Sequence, residues 1–139
     1  MRLDVYQEET AQIARYQSEV LAEARNKLAA GEALSRLEQN GILHALQVLV
    51  ENAIGKAKHL LKAAGQEVPV SAYDAFDLLA TIGQIQHEHL SDWNRAVGLR
   101  NRIVHDYMNI RMDVMLELVK DEQYRFIIEF LLRPITQLK

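Results

Sequence analysis

Four side chains within one short stretch hold most of the chemical interest of this sequence. Arg100, Asn101, His105 and Tyr107 fall in G-L-R-N-R-I-V-H-D-Y-M-N-I, from Gly98 to Ile110. An imidazole exchanges protons near neutral pH, and a guanidinium is a fixed cation that can sit over charge growing on phosphorus. Together they are the groups that cleavage of an RNA phosphodiester needs, and that chemistry requires no metal. On a regular helix Arg100 and His105 point about 140° apart, Asn101 and His105 only about 40° apart, and Arg100 and Tyr107 about 20° apart. Arg100 and His105 therefore meet at one phosphate only if the helix distorts or ends before His105, or if two subunits contribute. A two-fold interface that brings both copies of the segment around one cleft is the arrangement the spacing favours. Taken alone, an Arg and a His five positions apart fit an exposed pair near a helix end better than a catalytic one.

The rest of the chain has to hold this segment. Apolar residues at Ile13, Tyr16, Val20, Ala24 and Leu28 recur at intervals of three and four, which predicts an amphipathic helix from about Leu3 to Leu28, closed by Gly31. Ser35 with Glu38 forms a capping-box pattern ahead of a second helix that runs through Ile42, Leu46, Leu49, Ala53, Ala57 and Leu60 to Gly65. A second apolar edge at Leu43, Val50, Ile54 and Leu61 predicts burial on two sides, either at the centre of a bundle or shared with a partner subunit. Ser71 is a candidate cap for a short third helix containing Phe76, Leu78 and Leu79, ended by Gly83. A fourth helix is expected from near Gln86 through Arg100, with Leu90, Trp93, Val97 and either Ile103 or Val104 inward. A fifth is expected from about Asp113 to Leu132, stopping near Pro134. The reading is an all-α, up-and-down bundle of about five helices, one domain over 1–139, with no strand.

Composition limits the function. With 139 residues and 49% hydrophobic content, the chain can bury one sizeable core. It contains no cysteine, which excludes thiolate catalysis, disulfides and cysteine-based zinc sites. A net charge of −3 argues against coating nucleic acid by bulk electrostatics, yet Arg95, Arg100, Arg102 and Arg111 face only Asp106 between positions 95 and 111, enough for a local phosphate-facing patch. No apolar run approaches the roughly 20 residues needed to span a bilayer, and the stretch from Met1 to Thr10 is acidic where a secretory signal is basic, so a cytoplasmic protein is expected.

Arg100, Asn101, His105 and Tyr107 reproduce R-N-x-x-x-H-x-Y, and in this the chain resembles the HepT-like branch of the HEPN superfamily. The flanks Gly98-Leu99 and Ile103-Val104 are also similar to that branch, as are E-N-A-I-G-K-A-K-H from Glu51 to His59 and the helix start at Ser71-Ala72-Tyr73. The resemblance implies a dimerising helical bundle with metal-independent endoribonuclease activity, the toxin of a toxin–antitoxin pair. Carried over by residue, it implies Arg100 and His105 as the catalytic pair and Asn101 as an amide that orients His105 or the RNA. Tyr107 is implied as the tyrosine that a partner minimal nucleotidyltransferase modifies with AMP, an anion whose bulk and charge block RNA.

Other features carry less. His87 and His89, two apart on a helix, diverge by about 160° and cannot share an ion, so neither a metal nor a cofactor is expected. His44 and His59 read as partner-facing or hydrogen-bonded histidines, and Trp93 as core. Arg102 is a candidate RNA contact, and with Asp106 it forms an i,i+4 pair that supports the helix surface. Two further readings are compatible with the fold: a non-catalytic substrate-binding or regulatory subunit of a nucleotidyltransferase, and a bundle that only oligomerises. Neither accounts for the polar cluster.

Overall fold

The computed structural model describes residues 2–135. Among these, six α-helices and two short 3₁₀ turns surround one hydrophobic core, with no strand. Helices α1 (Leu3–Ala29) and α2 (Arg36–Ala63) form a long pair, followed by α3 (Ala72–Thr81), α4 (Leu90–His105), α5 (Met112–Lys120) and α6 (Arg125–Leu132). No helix among the described residues is long and apolar enough to cross a membrane.

Helix α2 is the axis of the bundle. It packs on α1, α3, α4 and α6, and both of its apolar edges are buried within the one chain, with only Ile54 half-buried. Its start is the expected capping box: the Glu38 amide donates to Ser35 Oγ at 3.1 Å and the Ser35 amide donates to Glu38 Oε1 at 2.8 Å. Ser71 caps α3 by accepting from the Asp74 amide at 3.3 Å, and the chain leaves α3 through Gly83 at φ +81°, a conformation that favours a residue without Cβ. Trp93 is core, stacked on Phe76 at 4.4 Å between ring centroids and edge-on to Phe126 and Phe130.

Three expectations are corrected. The buried stripe of α1 is Thr10, Ala11, Ala14, Leu21 and Ala24, while Tyr16 is 60% exposed and Val20 is also exposed. Small residues on that face let α1 lie close to α2, which a reading based on the larger apolar side chains does not register. Asp113 to Leu132 is not one helix: α5 ends after Lys120, and α6 starts at Arg125. Glu122 stands between them at φ +54°, with the Gln123 amide closing back onto the Leu118 carbonyl at 3.0 Å. The bend rotates Tyr124, Ile127, Phe130 and Leu131 into the core beside Met115 and Val119, burial that offsets the strain of a left-handed residue. Finally, α4 is preceded by a separate 3₁₀ turn, His87–His89, rather than starting at Gln86.

Lys56 lies on α2 with no exposed surface. Its Nζ donates to the Phe130 carbonyl at 2.7 Å and the Arg133 carbonyl at 2.5 Å, which supplies partners to the C-terminal end of α6. Burial, with a smaller contribution from the charge of Arg133, pushes the ammonium down to about 8.

Candidate active site

Helix α4 stays regular through His105, where the Asp106 amide makes a last bond to the Arg102 carbonyl at 2.8 Å and the backbone of Asp106 leaves the helix at φ −142°, ψ 40°. The helix therefore neither distorts nor ends before His105, and two of the three routes to a shared phosphate close within a single chain. Arg100 is half-buried and turned towards α2. His105, in the last turn, is exposed and makes no side-chain hydrogen bond among the described residues.

The Arg100 guanidinium is clamped. Its Nε and Nη2 donate to Glu51 Oε2 at 3.0 and 2.9 Å, and its Nη1 donates to Asn101 Oδ1 at 3.1 Å. Of five N–H groups, three are engaged and one hydrogen on each terminal nitrogen is left over. Both remain available to a further acceptor such as a phosphate oxygen. Asn101 Oδ1 thus meets the guanidinium, and no hydrogen bond joins it to the imidazole among the described residues.

Tyr107 follows in a 3₁₀ turn, Tyr107–Asn109, that ends α4 and starts the approach to α5. It is 51% exposed, and its hydroxyl donates to Asn40 Oδ1 on α2 at 2.7 Å. Arg102 is exposed, as a phosphate contact has to be, but its expected pairing with Asp106 does not form. Asp106 lies past the end of the helical register and accepts instead from Asn109 Nδ2 at 2.6 Å. Among the described residues no three potential metal ligands meet, and His87 and His89 are exposed. His59 is hydrogen-bonded, its Nδ1 to the Gly55 carbonyl at 2.8 Å, and stacks on Tyr6 at 3.9 Å; His44 is exposed.

A cleft of about 540 Å³ opens beside Arg100, between α2, the segment 70–73 and α4. Its walls include Glu51, Lys58, Tyr73, Arg100 and Asn101. Three of the stretches that carry the resemblance, from Glu51, from Ser71 and from Gly98, thus converge on one hollow. Glu51 and Asn40 are site residues that no motif spacing identified. Glu51 could have been found as a carboxylate on an otherwise core-forming helix, whereas nothing local points to Asn40, 67 positions from its partner.

Comparison with solved structures finds the same fold in proteins from toxin–antitoxin complexes. A toxin–antitoxin complex with AMP-PNP superposes with a TM-score of 0.75 over 91% of this chain and 97% of that one, at 21% identity. A tri-AMPylated Shewanella oneidensis HEPN toxin in complex with an MNT antitoxin gives 0.64 over 85% and 95%, at 24% identity. The class the fold defines is the all-α helical bundle that these neighbours share. The chain belongs to the ribonuclease HepT-like family, whose model matches residues 6–133. It is also 32% identical over 82 residues to the mRNA nuclease HepT of Shewanella oneidensis, a match that takes in 59% of this chain and 62% of that relative's length.

Proposed function

We propose that this chain is the toxin of a toxin–antitoxin pair, an endoribonuclease that cuts RNA without a metal ion and is held in check by a nucleotidyltransferase. The observation that carries the reading is the clamp on Arg100: a guanidinium fixed by Glu51 and Asn101, with an N–H to spare on each terminal nitrogen, on the same helix as an exposed histidine. The RNA 2′-hydroxyl is the nucleophile. It attacks the adjacent phosphorus and the 5′-oxygen of the next nucleotide leaves, giving a 2′,3′-cyclic phosphate. His105 takes the hydroxyl proton or returns one to the leaving oxygen, while Arg100 stabilises the pentacoordinate phosphorane. Because α4 is straight, Arg100 and His105 act on one phosphate across a homodimer, each copy facing its two-fold mate. Arg102, exposed one residue beyond Asn101, contacts the RNA backbone.

Tyr107 is the control point. Its oxygen bonds to the α-phosphorus of ATP bound by the partner nucleotidyltransferase, pyrophosphate leaves, and the Tyr107 hydroxyl proton, until then donated to Asn40 Oδ1, passes to solvent. The AMP group then places an anion beside the motif and repels RNA. Peptide mass spectrometry of the chain co-expressed with its nucleotidyltransferase is expected to find AMP on Tyr107 and not on Tyr107→Phe, and the modified protein is expected to leave RNA uncut. Full cleavage by protein quantitatively carrying AMP at Tyr107 rules out this form of control.

A further inference from the structure

The cleft beside Arg100 contains more than the catalytic motif accounts for. Its volume of about 540 Å³ falls within the roughly 300–1,000 Å³ typical of sites for small molecules. Ile54 and Val97 line it as apolar surface, and Tyr73 is the one aromatic ring among its lining residues. Tyr73 is 42% exposed although it lies in the first turn of α3, where an aromatic ring could have packed inward. Instead its hydroxyl extends to α4 and comes within 3.4 Å of where a Cβ on Gly98 would stand, two residues from Arg100. The ring thus bridges the hollow next to the catalytic cation. Also lining it, Lys58 Nζ donates to the Val70 carbonyl at 2.9 Å and keeps two N–H groups for another acceptor.

An apolar wall, one half-exposed ring, a lysine and an arginine with N–H groups to spare are what a single-stranded nucleotide requires: a π-face for its base and cations for its phosphates. We infer that this cleft seats the nucleotide adjacent to the scissile phosphate, with its base stacked on Tyr73 and the following phosphate within reach of Lys58. The inference rests on the ribonuclease reading and extends it to substrate: the enzyme takes unpaired RNA, because a base held in a duplex cannot enter the hollow.

The test is binding and turnover of a short single-stranded RNA, with a 2′-O-methyl version of the same oligonucleotide as an uncleavable probe. Tyr73→Ala is expected to weaken the probe's Kd and raise KM by about 5- to 150-fold, the range that loss of one stacked base allows. Tyr73→Phe is expected to bind as wild type, and Tyr73→Leu, which keeps apolar bulk without the π-face, to fall with Tyr73→Ala. His105→Ala is expected to bind the probe normally. If folded Tyr73→Ala and Tyr73→Leu bind and turn over like wild type, the inference fails and the ribonuclease reading stands. The same holds if their only defect is loss of self-association. If wild-type protein neither binds nor cuts RNA, the underlying reading fails and this one with it.

Discussion

His105→Ala is expected to lower RNA cleavage by about 10²- to 10⁴-fold, the usual contribution of a positioned general acid or base, and to abolish growth inhibition in cells expressing it. The expectation follows from placement. His105 ends α4, exposed and without a side-chain hydrogen bond among the described residues, so it contributes nothing to the core that could account for its presence. The same exposure makes the variant a clean test, since surface substitutions away from packed features usually change stability by no more than about 0.5 kcal/mol. Thermal unfolding of His105→Ala should therefore coincide with wild type while cleavage of a labelled RNA disappears. Cleavage at the wild-type rate by this variant, purified free of other nucleases, would remove the imidazole from the mechanism and with it the enzyme assignment.

The largest expected loss of stability comes from a residue far from that chemistry. Lys56→Ala deletes the donor to the Phe130 and Arg133 carbonyls and opens a void beneath the Phe130 ring, whose centroid lies 5.2 Å from Nζ. Opening a cavity while stranding two buried carbonyls costs about 3–5 kcal/mol, a large part of the roughly 5–15 kcal/mol that holds a domain folded. Lys56→Met keeps the volume and should lose only about 1–3 kcal/mol, the penalty of leaving buried carbonyls unpaired. Urea midpoints separate the two, and an unchanged midpoint for Lys56→Ala contradicts the assignment. The lysine also has a pH signature. Its folded pKa is about 8 against an ordinary 10.5, so between those values the unfolded chain binds more protons than the folded one. Stability gains a contribution as pH rises through that window, and Lys56→Met should lack it.

Most of the scaffold was legible from local signals because those signals act locally. The capping box at Ser35, the cap at Ser71 and the turn at Gly83 each depend on residues a few positions apart, and all three are found. The break between α5 and α6 was not legible, because Asp121 to Tyr124 contains neither glycine nor proline and the bend is enforced by the burial of Tyr124 and Ile127 against distant helices. The face of α1 was misread for a related reason: its buried stripe includes Ala11 and Ala14, whose smallness is invisible to a pattern of bulky side chains. At the site, R-N-x-x-x-H-x-Y was visible because it is contiguous. The partners that orient it, Glu51 and Asn40, come from another helix and only the fold brings them in.

The carboxylate that grips Arg100 has a thermodynamic consequence for substrate capture. A free arginine side chain carries about 2 kcal/mol of rotamer entropy, which a loosely held guanidinium loses at the moment it meets a phosphate. Here the restriction is imposed when the chain folds, and an incoming anion finds the cation already immobile. The opposing carboxylate also cancels much of the cation's long-range field, so attraction is felt only at contact distance. Such a site favours ligands that fit over ligands that are merely charged.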